Sequence, residues 1–336
     1  MNLTPNVSIA VIGCGSWATA QVKILSENHN TVNWYVHDEK IRVHLLKHRS
    51  NPEFITQVHF SSKKLNIYDD ICKAVADSDI VLLATPSPYI KSVMAPLEHN
   101  CFDGKIVLSA IKGITPDDYL TIAEYINRTY NLPFDQIGIV SGPCHAEEVA
   151  LERLSYLTIV FKDEELAAQV GKLYHNSYIN IVTSRDIYGV EYGAVLKNIY
   201  AIAIGVCHSM GYGDNFIAVL ISNATREMDN FMNATYTAPR NVQDSVYLGD
   251  LLVTCYSQFS RNRTFGLMIG KGYSVRAAQM EMNMVAEGYY ATACIQKVKE
   301  RCDISIEMPI ADAMYAILYL NKDARTEIKR ILRKLR

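Results

Sequence analysis

The sequence has no strong charge of either sign: 33 basic against 35 acidic side chains leave a formal net charge of −2. No overall field draws such a chain to nucleic acid, so none is expected as a partner, and an anionic ligand must be met by local arginines and lysines. The eight cysteines are scattered at 14, 72, 101, 144, 207, 255, 294 and 302, with no C-x-x-C pair. That spacing suits neither a zinc ribbon nor a redox dithiol and reads as separate thiols in a reducing cytoplasm. The histidines form no ligand pattern, so no metal site is expected. The opening residues MNLTPNVSIAVIG lack a basic region followed by an apolar stretch and a cleavage site, so a leader is not expected. No apolar run approaches the roughly 18–20 residues of a membrane span, and no stable membrane insertion is expected. Internal repeats and low-complexity linkers are absent as well.

What is present is enough for two domains. The chain has 336 residues, and 49% hydrophobic against 20% charged residues describes a globular protein with a sizeable core. Its first half alternates short apolar runs with helical stretches. Strands are expected at Val7–Ile12, Val32–Val36, Ile80–Thr85, Lys105–Ala110, Ile137–Ser141, Ser155–Phe161 and Ile179–Val182. Such fully apolar runs spaced by helices predict an α/β domain, a mostly parallel sheet covered on both faces. From about Ser184 the strand-like runs stop and helical spacing takes over. The expected division is therefore residues 1–184 and an all-α remainder, residues 185–336.

The segment VSIAVIGCGSWATAQVKIL carries the clearest ligand signal. A strand meets Gly13-Cys14-Gly15-Ser16-Trp17-Ala18 and then a helix, the context that makes G-x-G-x-x-A a dinucleotide-binding turn. Gly13 would permit the tight turn, Gly15 the approach of backbone N–H groups to a pyrophosphate, and Ala18 close helix–strand packing.

Four further places hold residues suited to chemistry. Lys197 sits in EYGAVLKNIYAIAIG with Gly193 and Ala201 on its helical stripe. It is either a snorkelling surface residue or one turned inward, and a desolvated ammonium there would serve as a general base near neutrality. Asp250, behind Gly249 and ahead of an apolar run, is either a helix cap or a partner for a lysine. Ser260-Arg261-Asn262-Arg263 is either a solvated basic loop or an anion clamp. Lys112, directly after a strand, is either a loop-tip lysine or one that meets a ligand. The tail from Arg325 to Arg336 has six basic residues and one acid, interleaved with Ile328, Ile331, Leu332 and Leu335 at helical spacing. A docked amphipathic terminal helix is the reading favoured over a membrane contact.

Taken in order, VIGCGSWATA, AIKGI, SGPCHAEEVA, YGVEYGAVLKNIYAIAIG, GYGDN, GDLLVTCYSQFSRNRTFG, VAEGYYAT and EMPI resemble the NAD(P)-dependent glycerol-3-phosphate dehydrogenases of bacterial type. The resemblance implies a Rossmann-type N-terminal domain, an all-helical C-terminal domain, and interconversion of sn-glycerol 3-phosphate and dihydroxyacetone phosphate for phospholipid synthesis. It implies Lys197 as proton acceptor, with Asp250 and Lys112 beside it in catalysis. It implies NAD or NADP contacts at Gly13, Gly15, Ser16, Trp17, His37, Lys112, Ala146, Arg261, Val285 and Glu287. Substrate contacts are implied at Lys112, Gly142, Cys144, Lys197, Asp250, Ser260, Arg261 and Asn262. A homodimer stays open, and so does the choice of cofactor, because His37-Asp38 is followed by Lys40 and Arg42. The sequence departs from the pattern at Cys144 and His145, where Ser or Thr usually follows G-P. It departs again at Val246-Tyr247, which are bulkier than usual, and at Asn223, where arginine is common. The competing expectations are a β-hydroxy-acid dehydrogenase, in which the asparagine stands several residues beyond the lysine, and a nucleotide sensor without turnover.

Overall fold

β-branched and aliphatic runs too short for helices become strands here. The computed structural model describes residues 7–28, 30–61, 63–282, 285–302 and 306–336. The N-terminal reading of an absent leader therefore rests partly on residues 1–6, outside the described residues. In chain order the first unit contains β1 (Ser8–Ile12), α1 (Ser16–Glu27), β2 (Thr31–Tyr35), α2 (Glu39–His48), β3 (Leu65–Tyr68), α3 (Ile71–Ala76), β4 (Ile80–Leu83) and α4 (Ile90–Met94). It continues with β5 (Ile106–Ser109), α5 (Ile122–Tyr130), β6 (Ile137–Ser141), α6 (Ala146–Ala150), β7 (Ser155–Val160), α7 (Glu164–Tyr174) and β8 (Ile179–Ser184).

These strands form one eight-stranded sheet in the order β3-β2-β1-β4-β5-β6-β7-β8. Every neighbouring pair is parallel except β6 with β7. The order turns back at β1, whose neighbours are β2 and β4, so a crevice opens beyond the carboxyl ends of β1 and β4. The central strands are buried throughout, which is why they read as unbroken apolar runs. β3 is the strand the pattern misses. Its LNIY is half polar because an edge strand pairs on one side only, with β2.

The second unit is helical: α8 (Ile187–Ser209), α9 (Asp214–Thr235), a π-turn at Ser245–Gly249, α10 (Asp250–Tyr256), α11 (Arg261–Gly270), α12 (Val275–Glu281), α13 (Glu287–Arg301), α14 (Pro309–Tyr319) and α15 (Ala324–Leu332). α8 is its axis. With 23 residues it is the one helix, among the described residues, long and apolar enough to cross a membrane, yet its apolar window is entirely buried. The expectation that nothing approaches spanning length is corrected by this helix. Glu191 and Lys197 interrupt its apolar run in the sequence, and the helix spends that apolarity on the core of its own unit. Gly205 and Gly266 let α8 and α11 touch backbone to backbone: a methyl group on either would lie 2.1 Å from a carbonyl oxygen of the other helix.

The compact units are not contiguous in sequence. Met1–Ile111 groups with Ile122–Ile187, and Lys112–Thr121 groups with Tyr188–Arg336. The loop after β5 thus leaves the unit that a division into 1–184 and 185–336 assigns it to. Its bonds explain this: Asn198 donates to the Lys112 carbonyl at 3.2 Å, and Arg301 donates to the Asp118 carbonyl at 2.7 Å. At the chain's end Ile328 and Ile331 are buried, and the Asn223 side chain pairs with both the N–H and the carbonyl of Arg336. The departure at Asn223 therefore fixes the terminus, and the exposed face of α15 is basic.

Candidate active site

In the first unit the glycine-rich turn is built to hold backbone amides at one point. Gly13 has φ +129°, and a Cβ there would sit 2.6 Å from the Ala84 carbonyl oxygen, so β1 can pass β4 this closely only with glycine. The Trp34 indole donates to the Gly13 carbonyl at 2.6 Å, and Asn51 donates to the Cys14 carbonyl at 2.9 Å and to Thr19 at 3.0 Å. Gly15 precedes α1 with open space where a side chain would stand, and α1 has no side-chain cap. The helix dipole at this start favours an anion. This is the setting a dinucleotide pyrophosphate requires.

The remaining expected positions of this unit fall around other strand ends. Ser16 and Trp17 open α1, and His37 stands just past β2, its Nδ1 3.6 Å from the Cys14 sulfur. Gly142 follows β6, and Ala146 opens α6. Cys144, between them, is buried, and its thiol donates to the Tyr156 carbonyl at 3.3 Å.

In the second unit Lys197, Asp250 and Lys112 come together. Lys197 Nζ lies 2.5 Å from Asp250 Oδ1, and Lys112 Nζ lies 3.1 Å from Asp250 Oδ2. The carboxylate is 1% exposed and Lys197 5%, so two ammonium groups share one anion almost out of water. Lys197 is therefore not a snorkelling lysine, Lys112 is not a loop-tip residue, and Asp250 both opens α10 and neutralises lysine. The π-turn immediately before Asp250 aims it inward, and Tyr247 from that turn packs on Gly193, one helical turn before Lys197. The bulky departure at 247 thus occupies the space that a glycine on α8 leaves.

Burial sets the chemistry of this cluster. It drives the Lys197 ammonium down, Asp250 opposes it, Lys112 adds to it, and the group ends at about 7 against an ordinary 10.5. For Asp250, burial pushes upward, but Lys112 and Lys197 outweigh it and hold the carboxyl below its ordinary value. A second buried lysine shows what decides the sign. Lys23, in α1, is also desolvated, but it meets Glu27, Glu152 and the Tyr178 hydroxyl and is held well above its ordinary value. Among the described residues Lys197 has one carboxylate, already shared, and so stands ready to give or take a proton near neutrality.

A side-chain chain supports the cluster. Asn262 donates to Asn198 at 2.9 Å and accepts from the Gly288 N–H at 2.9 Å, while Asn198 holds the Lys112 backbone. The alternative of a solvated basic loop does not describe this segment. Ser260 is the N-cap of α11, accepting from the Arg263 N–H at 3.3 Å, and Arg261 and Asn262 are the first helical residues. An anion at this helix start meets a dipole as well as a guanidinium. Arg261 also reaches the Val285 carbonyl at 3.4 Å, and Glu287 opens α13 two residues later.

Residues 8–167 match the profile of the NAD-dependent glycerol-3-phosphate dehydrogenase N-terminus, and residues 186–329 match that of the C-terminus. The chain belongs to this family. A Clostridium botulinum (strain Eklund 17B / Type B) protein named glycerol-3-phosphate dehydrogenase (NAD(P)+) is 34% identical over 324 residues, 96% of either chain. A protein of the same name from Macrococcus caseolyticus is 32% identical over 331 residues, 98% of either chain. The crystal structure of glycerol-3-phosphate dehydrogenase from Coxiella burnetii superposes with a TM-score of 0.89 at 24% identity, covering 97% of this chain and 99% of that one, which establishes the shared fold. Against the family pattern, sequence reasoning passed over Trp34, Asn51 and Asn198. Trp34 falls inside the expected strand Val32–Val36 with nothing to mark its side chain, and Asn51 lies in no expected element. Asn198 carried a signal, its place beside Lys197, but no partner for it was visible.

Proposed function

We propose that this chain interconverts sn-glycerol 3-phosphate and dihydroxyacetone phosphate with NAD(P) as hydride carrier, supplying glycerol 3-phosphate for phospholipid synthesis in the cytoplasm. The observation that carries the reading is the buried Lys197–Asp250–Lys112 cluster in a chain of this family. The glycine-rich turn fits the cofactor, with Gly15 leaving room and Ser16 and Trp17 at the start of α1. When bound, the oxidised cofactor accepts the hydride that leaves C2 of the alcohol.

The protein's part is proton handling and positioning. In oxidation, neutral Lys197 takes the C2 hydroxyl proton, and Asp250 stabilises the ammonium that forms. In reduction, the Lys197 ammonium returns that proton to the developing alkoxide. Lys112 keeps Lys197 from being permanently charged, because it claims the other oxygen of Asp250. The phosphate is held at the start of α11 by Arg261 and the helix amides, with Asn262 fixed in place by Asn198 and Gly288. Asn262 has one amide hydrogen to spare for the substrate after those two bonds.

The test is oxidation of NADH and NADPH on adding dihydroxyacetone phosphate, with a β-keto acid as control. Turnover with the phosphate ester and none with the keto acid supports the reading. The reverse pattern makes the chain a β-hydroxy-acid dehydrogenase, and no turnover with either makes it a nucleotide sensor.

A further inference from the structure

We propose that the exposed basic face of α15, with the residues that follow it, is a docking surface for an anionic phospholipid bilayer, held by charge and without insertion. The choice of lipid as partner rests in part on the reaction proposed above; the surface itself does not.

Six of the 33 basic side chains, but one of the 35 acidic ones, fall in residues 325–336. The fold sorts them by face. Ile328 and Ile331 are buried, so the apolar stripe that an inserting amphipathic helix would give to lipid is already spent on the protein. Arg325, Lys329 and Arg333 stand at i, i+4 and i+8 along one exposed stripe, and Lys334 and Arg336 are exposed beyond them. Among the described residues none of Arg325, Lys329, Arg333 and Lys334 enters an ion pair. The two acids of this stretch are occupied. Asp323 caps α15, accepting from the Thr326 N–H at 2.8 Å, and Glu327 is buried and faces Arg330 at 3.5 Å. The residues after the helix are pinned as well: Asn223, on α9, accepts from the Arg336 N–H at 3.1 Å and donates to its carbonyl at 3.0 Å. Charges carried on an ordered element lose little freedom when they meet a surface.

Charge complementarity sets the sign of the partner, because an anionic leaflet attracts each lysine or arginine brought near it. The rest of the chain holds the greater share of acids and is repelled by the same leaflet, which confines attachment to this face. Two observations favour lipid over nucleic acid. Leu332 is 38% exposed beside the basic stripe, which suits a headgroup–acyl boundary better than a phosphodiester backbone. Residues 321–336 include no aromatic side chain on which a base would stack. The proposed product points the same way. Glycerol 3-phosphate enters a phospholipid by acyl transfer to its two free hydroxyls, and the water-insoluble product of that class of reaction places it at a bilayer.

The experiment is co-sedimentation of the full-length protein with vesicles of phosphatidylcholine alone and of phosphatidylcholine with about 30% phosphatidylglycerol, at low salt and at about 0.5 M salt. The wild type should bind the anionic vesicles at low salt, leave them at high salt and ignore the neutral ones. A triple variant, Arg325→Gln with Lys329→Gln and Arg333→Gln, should bind on the order of 100-fold more weakly, about five-fold for each basic residue removed. Arg325→Lys with Arg333→Lys keeps the charge and should bind like the wild type, circular dichroism confirming the fold of both variants. Equal binding to neutral vesicles, no binding at low salt, or a triple variant that binds like the wild type overturns the proposal. Tighter binding to duplex DNA than to vesicles at matched phosphate overturns it too and makes the face a nucleic-acid surface. Turnover of dihydroxyacetone phosphate without vesicle binding sinks this proposal alone. Charge-dependent vesicle binding without that turnover sinks the reaction and leaves the surface standing.

Discussion

Replacing Asp250 by Asn tests the electrostatics of the cluster and not merely its presence. Among the described residues Asp250 is the one carboxylate in contact with Lys197, and it lies almost wholly out of water. At an effective dielectric constant of about 20, an ion pair with charges roughly 4 Å apart is worth about 4 kcal/mol. At about 1.4 kcal/mol per unit, its loss should lower the Lys197 titration by about 3 units. In the wild type, Lys197 titrates at about 7. The kcat/KM for alcohol oxidation needs the neutral amine, so it should rise with pH and level off above that point. The kcat/KM for ketone reduction needs the ammonium, so it should be flat below that point and fall tenfold per unit above it. In Asp250→Asn both breaks should move below the working range: oxidation becomes flat from about pH 5 upward, and reduction declines across the whole interval. Lys112→Met should move the breaks the other way, upward, because a like charge is removed and Asp250 is no longer shared. The assay is initial rates in both directions from pH 5 to 10, with circular dichroism confirming folding. Breaks that stay near 7 in both variants, or move in the same direction, would refute the reasoning.

Three further outcomes follow. Gly13→Ala should prevent tight binding of reduced cofactor, measured by nucleotide fluorescence, because its methyl group would press on the Ala84 carbonyl from a backbone with φ +129°; unchanged affinity contradicts the role given to the turn. Glu227→Ala should lower stability by about 2–4 kcal/mol in urea unfolding, since this buried carboxylate accepts both the Ile310 and Ala311 N–H groups at 2.9 Å and caps α14 from α9. Ser260→Ala should cost about 1 kcal/mol as a lost cap and raise the KM for the phosphate ester more than it lowers kcat; a fall in kcat alone would argue against phosphate binding at the start of α11.

The sheet was legible because its central strands are buried on both faces and written as apolar runs; Ile80–Leu83 and Ile106–Ser109 show it plainly. β3 was not, since one-sided pairing tolerates Asn66 within it. The lysine and the aspartate were legible as candidates, because a charged residue inside an apolar helix needs a reason. Their meeting was not, for 53 residues and a π-turn separate them. The membership of residues 112–121 in the helical unit was invisible for the same reason: it depends on Asn198 and Arg301, far along the chain. The basic stretch at 260–263 stayed open between a solvated loop and an anion clamp because the Ser260 cap shows itself only when the Arg263 N–H is seen to need an acceptor. Local pattern yields elements and candidates, and long-range side-chain bonds decide which candidates form a site.

The central claim is that the ε-amine of Lys197 moves the proton in this reaction. Single-turnover oxidation of NADPH by dihydroxyacetone phosphate, comparing wild type with Lys197→Met at saturating substrate, tests it most directly. The expected result is a fall of about 10³-fold or more in the hydride-transfer step with cofactor affinity unchanged, in line with loss of a positioned acid–base group. A variant within a few-fold of the wild-type rate would show that the proton travels by another group.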